Sequence, residues 1–110
     1  IVIDDGGHTM VQQIVTFNEI YNHISEDGVF LCEDLHTSYL PQWGGGLRKQ
    51  GTFIEFSKNF IDLIHADHYG VDRSFKAITN SIHYYDSVIV LEKKKNPDRP
   101  LREIKRGSMN

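Results

Sequence analysis

The chain has 110 residues, 39% hydrophobic and 25% charged, with a net charge of −3. That is enough for one small domain with its own core. The slight negative balance argues against a nucleic-acid or membrane-surface partner, and no apolar run approaches the roughly 20 residues of a membrane span.

Ile1-Val2-Ile3 opens the chain in mid-strand, so it reads as the C-terminal portion of a larger domain. Residues 1–4 are the end of that strand, and Gly6-Gly7 is a turn. Thr9 is placed to cap a helix, its hydroxyl accepting from a first-turn N–H. Met10, Ile14, Phe17, Tyr21 and Ile24 then recur at helical spacing, with Val11 and Ile20 beside them, and predict an amphipathic helix over 9–24. Glu26-Asp27-Gly28 stops it, and residues 29–33 form a second strand. Cys32 lies in that apolar run. As the only cysteine it has no intrachain disulfide partner and reads as a packing thiol. With no signal-peptide pattern, these features fit a cytoplasmic protein.

Residues 37–51 hold Pro41, Trp43 and Gly44-Gly45-Gly46 without any period, and read equally as a mobile substrate-covering loop or as an ordinary surface loop with one packed Trp. Phe53, Phe56, Phe60 and Ile64, with Ile61 and Leu63, predict a second helix from Thr52 to about Gly70. Residues 75–83 and 87–93 read as an antiparallel strand pair around Tyr84-Tyr85-Asp86, ended by Lys93-Lys94-Lys95. The order β-α-β-loop-α-β-β is half of a doubly wound α/β domain with a reversed strand near its edge.

Two acidic clusters stand where apolar strands run out: Asp4-Asp5-Gly6-Gly7-His8 and Glu33-Asp34-Leu35-His36. In open α/β sheets, ligands bind beyond the carboxyl ends of the strands. Parallel neighbours in register bring Asp4 or Asp5, Glu33 and Asp34 around one point. Hard oxygen donors suit Mg²⁺, with Ca²⁺ and Mn²⁺ as alternatives. His8, across a turn from Asp5, is the candidate general base. The same residues also suit simpler roles: Asp4-Asp5-Gly6 as turn chemistry and Glu33-Asp34 as a solvated strand end. His23, His65 and His68 read as surface residues, His83 as structural, and His36 as either. No Gly-rich phosphate loop, P-loop lysine or nucleophilic Ser or Cys motif is present.

The string Ile1-Val2-Ile3-Asp4-Asp5-Gly6-Gly7-His8, then Glu33-Asp34-Leu35-His36-Thr37-Ser38-Tyr39, Trp43-Gly44-Gly45-Gly46 and the closing run Ser81 to Lys93 carry a resemblance. They resemble the C-terminal half of class I S-adenosylmethionine-dependent methyltransferases, and among these the metal-dependent sugar O-methyltransferases of the macrocin and mycinamicin type. The resemblance implies a Rossmann-like fold over 1–95, strands four to seven of a seven-stranded sheet, followed by a polar tail over 96–110. It implies Mg²⁺ on Asp5, Glu33 and Asp34, His8 as base, S-adenosylmethionine as methyl donor, and a sugar or polyol hydroxyl as acceptor. The family's Gly-rich cofactor loop and its ribose-binding acid have no counterpart here, so this chain alone is expected to bind the cofactor poorly and to be inactive. An unpaired edge on the first strand implies a homo-oligomer. Two other readings are a relative of the cephalosporin hydroxylases and a non-catalytic interaction domain on the same fold.

Overall fold

A computed structural model describes residues 1–4 and 9–97. Its strands are β1 (Val2–Asp4), β2 (Val29–Cys32), β3 (Thr79–Tyr85) and β4 (Val88–Lys93), and its helices are α1 (Met10–Ile20), α2 (Phe53–Ile64) and α3 (Ser74–Ile78). They form one four-stranded sheet in the order β1-β2-β4-β3. β1 and β2 are parallel, while β4 runs antiparallel to both of its neighbours. The expected α/β class, a parallel pair with a closing antiparallel hairpin, is what the chain forms. Most of the tail expected to be polar, residues 98–110, lies outside the described residues.

Both long helices start where a threonine satisfies the first exposed N–H groups. The Thr9 hydroxyl accepts from Gln12 N–H at 3.3 Å, and Gln12 Oε1 accepts from Thr9 N–H at 3.2 Å, a reciprocal capping box. The Thr52 hydroxyl accepts from Glu55 N–H at 3.2 Å. Both helices end sooner than periodicity predicts. The stripe through residue 24 is helical to Ile20 and then tightens into a 3₁₀ turn at Tyr21–His23. The second stripe stops at Ile64 and continues as a 3₁₀ turn at Ala66–His68. Side-chain spacing cannot separate these cases, because a 3₁₀ turn buries nearly the same face.

Residues 75–78, expected in a strand, belong to α3 instead. Asp72 starts it by accepting from Ser74 N–H and Ser74 Oγ–H, at 3.0 and 2.7 Å. Five residues are too few to display a helical period. The stretch read as an unstructured loop contains two 3₁₀ turns, Leu35–Tyr39 and Pro41–Trp43.

The core is aromatic and lies on one face of the sheet. Phe30, Cys32, Ile89 and Leu91 are fully buried beneath Phe17, Tyr21, Phe53 and Phe60. Phe75 of α3 stacks on both Phe60 and Tyr21, with ring centroids 5.0 and 5.7 Å apart. On the other face Ile3, Leu31 and Val90 stand in register across three strands, and Ile3 is 57% exposed.

Lys93 departs from the expected polar strand end. It is buried in β4, and its ammonium donates to Tyr21 O at 3.1 Å and Ile24 O at 2.7 Å. It also lies 5.2 Å from the centre of the Tyr21 ring. Burial pulls its pKa below the ordinary lysine value. Lys93 thus closes the carbonyl end of the first helical segment onto the last strand. Lys93→Met is expected to cost about 1–3 kcal/mol in urea unfolding, because it takes the ammonium donor from the Ile24 carbonyl and leaves Tyr21 O with the Ile24 N–H; an unchanged midpoint would remove this role.

Candidate active site

The acidic corner is built by backbone register. Asp4 pairs with Cys32 in the parallel ladder, so β1 and β2 end at the same level. The next residue of the second strand extends the ladder: Glu33 N–H donates to Asp4 O at 3.2 Å. On the other side, Cys32 pairs with Ile89 of β4, which brings the two-residue hairpin turn Asp86-Ser87 to the same sheet edge. There Leu35 N–H donates to Ser87 O at 2.9 Å, and the Ser87 hydroxyl lies 2.8 Å from His36 Nδ1. Glu33 and Asp34 are therefore held between two strand ends by hydrogen bonds on either flank.

Asp34 adopts the left-handed conformation, with φ 61° and ψ 36°. This reverses the chain directly after the strand. Its carbonyl then accepts from Thr37 N–H at 3.2 Å and Thr37 Oγ1–H at 3.0 Å, starting the 3₁₀ turn. Aspartate tolerates this region better than most residues, though still at a cost.

Glu33 is exposed, Asp34 is half-buried, and Asp4 is buried at 8% exposure. The Cys32 thiol donates to Asp4 Oδ2 at 3.8 Å and to Glu33 O at 3.7 Å. Burial first, then the charges of Asp4, Asp34 and Glu33, push the thiol up to about 12. It is buried and packs against the acidic strand ends.

The structure thus places Glu33 and Asp34 together at the carboxyl edge of the parallel pair. The other two residues of the expected site, Asp5 and His8, lie outside the described residues. Among the described residues no group of three His, Cys, Asp or Glu side chains is gathered so as to hold a metal ion. His36 is resolved as a partner of Ser87, while His83 bonds to the Ser81 hydroxyl at 3.0 Å within its strand. His23, His65 and His68 are exposed, as expected. Ser87 was not legible as a site residue. Its only signal is its place in a tight turn, and its role depends on β4 lying beside β2.

No family model matches the chain. It is 32% identical over 106 residues to the mycinamicin VI 2''-O-methyltransferase of Micromonospora griseorubida, covering 89% of this chain and 27% of that protein. It is equally similar to a Streptomyces olivaceus enzyme, 8-demethyl-8-(2-methoxy-alpha-L-rhamnosyl)-tetracenomycin-C 3'-O-methyltransferase, with the same coverage. The solved structure of the MycE methyltransferase from the mycinamycin biosynthetic pathway, in complex with Mg, SAH and mycinamycin VI, superposes with a TM-score of 0.76. That match has 29% identity and covers 84% of this chain and 25% of that one. The chain is homologous to these sugar O-methyltransferases. It spans about a quarter of the length of the relatives it matches, and its sheet and helices are part of their methyltransferase fold.

The left-handed Asp34 can be tested apart from its charge. Asp34→Gly should leave unfolding stability within about 0.5 kcal/mol, whereas Asp34→Ala should lose about 1 kcal/mol. Equal losses in both variants would mean that the side chain, and not the backbone turn, carries the structural role.

Proposed function

We propose that this chain forms the acceptor side of a metal-dependent O-methyltransferase that methylates a sugar hydroxyl on a natural product. The observation that carries the proposal is the Glu33-Asp34 corner. It is pinned at the shared carboxyl edge of β1 and β2, in a fold matching an enzyme solved with Mg and SAH. The donor chemistry fits a hard divalent cation, because the corner offers carboxylate oxygens. Asp5, Glu33 and Asp34 would hold Mg²⁺. When bound, the cation supplies orientation of the acceptor's hydroxyls and makes one of them more acidic.

The chain's own residues divide the remaining work. Hydrogen bonds from Glu33 N–H and Leu35 N–H hold the acidic turn still, so little reorganisation accompanies binding. His8, three residues beyond Asp5, takes the proton of the acceptor hydroxyl. As it does so, that oxygen gains the methyl group of S-adenosylmethionine, and the carbon–sulfur bond breaks. A methyl ether and S-adenosylhomocysteine are the products, and the proton remains on the imidazole until solvent removes it.

Calorimetry should show Mg²⁺ binding that weakens at least about tenfold in Asp5→Asn, Glu33→Gln and Asp34→Asn. No heat of binding in a folded sample would sink the metal site. In the longer protein, His8→Ala should slow methyl transfer by about 10²-fold or more while Mg²⁺ affinity holds. Retained turnover would remove His8 as the base.

A further inference from the structure

Ser87 meets the acidic turn with both of its oxygens. Its carbonyl accepts from Leu35 N–H at 2.9 Å, and its hydroxyl accepts from the next amide, His36 N–H, at 3.3 Å. The same hydroxyl lies 2.8 Å from His36 Nδ1. We propose that Ser87 and His36 are positioning residues for the divalent cation, a clamp from the β3–β4 hairpin that sets how tightly Glu33 and Asp34 hold it. This rests on the metal reading above and adds what fixes the geometry of its ligands.

The cation makes the clamp matter. Mg²⁺ demands near-ideal octahedral geometry, so its affinity depends on where the carboxylates already stand. Glu33 and Asp34 are adjacent in the chain, and without a cation their charges repel. A turn free to swing would relieve that repulsion by splaying them, and binding would then have to reverse it. One hydrogen bond at Leu35 fixes a single point and leaves the turn able to pivot about it. A second bond, one residue further on, removes that rotation. A hydroxyl has one proton to give and two lone pairs, so it serves the His36 amide and imidazole together.

The residue type at 87 points the same way. Ser87 sits in the left-handed region, at φ 65°, within the two-residue hairpin turn. Glycine takes that conformation without steric penalty and is what turn chemistry favours there. Serine is strained by comparison, and what it adds is the hydroxyl that His36 uses. Asp34, one residue before the clamped amides, is left-handed as well, at φ 61°. Leu35 between them is 1% exposed, so the clamped segment is also anchored in the core.

Ser87→Gly removes the hydroxyl, keeps the carbonyl and eases the backbone, so it separates the clamp from the fold. Its urea midpoint should stay near wild type, because relief of the left-handed strain offsets the lost bonds. Calorimetry of the full chain with MgCl₂ should nonetheless show an affinity about fivefold weaker. His36→Ala should weaken it too. The double variant should bind no more weakly than Ser87→Gly alone, because both changes act through one contact. Amide exchange gives a second readout: saturating Mg²⁺ should slow exchange at the Leu35 and His36 N–H groups of the wild type, and at Leu35 alone in Ser87→Gly. An Mg²⁺ affinity in Ser87→Gly equal to wild type, additive losses in the double variant, or wild-type exchange at His36 that ignores Mg²⁺ overturns the clamp. Should Ser87→Gly not fold, His36→Ala at its exposed position decides, and an affinity equal to wild type overturns the clamp. No heat of Mg²⁺ binding in the folded wild type sinks the metal reading and the clamp together. Wild-type binding that both variants leave unchanged sinks the clamp alone.

Discussion

Two backbone hydrogen bonds, Glu33 N–H to Asp4 O and Leu35 N–H to Ser87 O, hold the acidic corner in place. Each joins the same short turn to a different strand end. The first is possible because β1 and β2 are parallel and in register at Asp4 and Cys32. The second is possible because β4 enters antiparallel beside β2, which delivers the β3–β4 turn to that edge. An all-parallel neighbour in this position would have presented its opposite end. The reversed strand is thus part of how the site is made rigid.

The one-sided aromatic core serves the same end. Phe17, Phe60, Phe75 and Tyr21 form a run of ring contacts that fastens all three helices to β2 and β4. Buried polar groups then set the orientation that apolar packing leaves free. Lys93 binds the carbonyl end of the first helical segment to the last strand, and the Tyr21 hydroxyl meets Thr79 at 2.7 Å. Burial pushes that tyrosine up to about 12, so it stays a neutral hydrogen-bonding group. Apolar area supplies most of the stabilisation, and these few directional bonds define one arrangement.

Where the sequence was legible, the information was local. Thr9 and Thr52 start helices through groups three residues away, and the chain says so directly. The acidic residues at two strand ends could be read because covalent order alone puts them there. The parallel pair and closing hairpin followed from turn and crossover rules. Other features failed to show for the opposite reason. Lys93 looked like a solvated end because nothing near it in sequence reveals the carbonyls of Tyr21 and Ile24. The 3₁₀ turns around Trp43 have no period to detect, and α3 is shorter than two turns.

By itself, then, the sequence determined which residue types are on offer for chemistry, carboxylates, histidines and a lone tryptophan, and where the strands and caps around them begin. Their type and local conformation depend on neighbours a few residues away. Only the tertiary structure decided that Ser87 buttresses the acidic turn, that the Cys32 thiol meets Asp4, and that Trp43 faces the start of α1 across a groove. Those outcomes depend on contacts between residues dozens of positions apart, which strand order and helix packing bring together and no local pattern encodes.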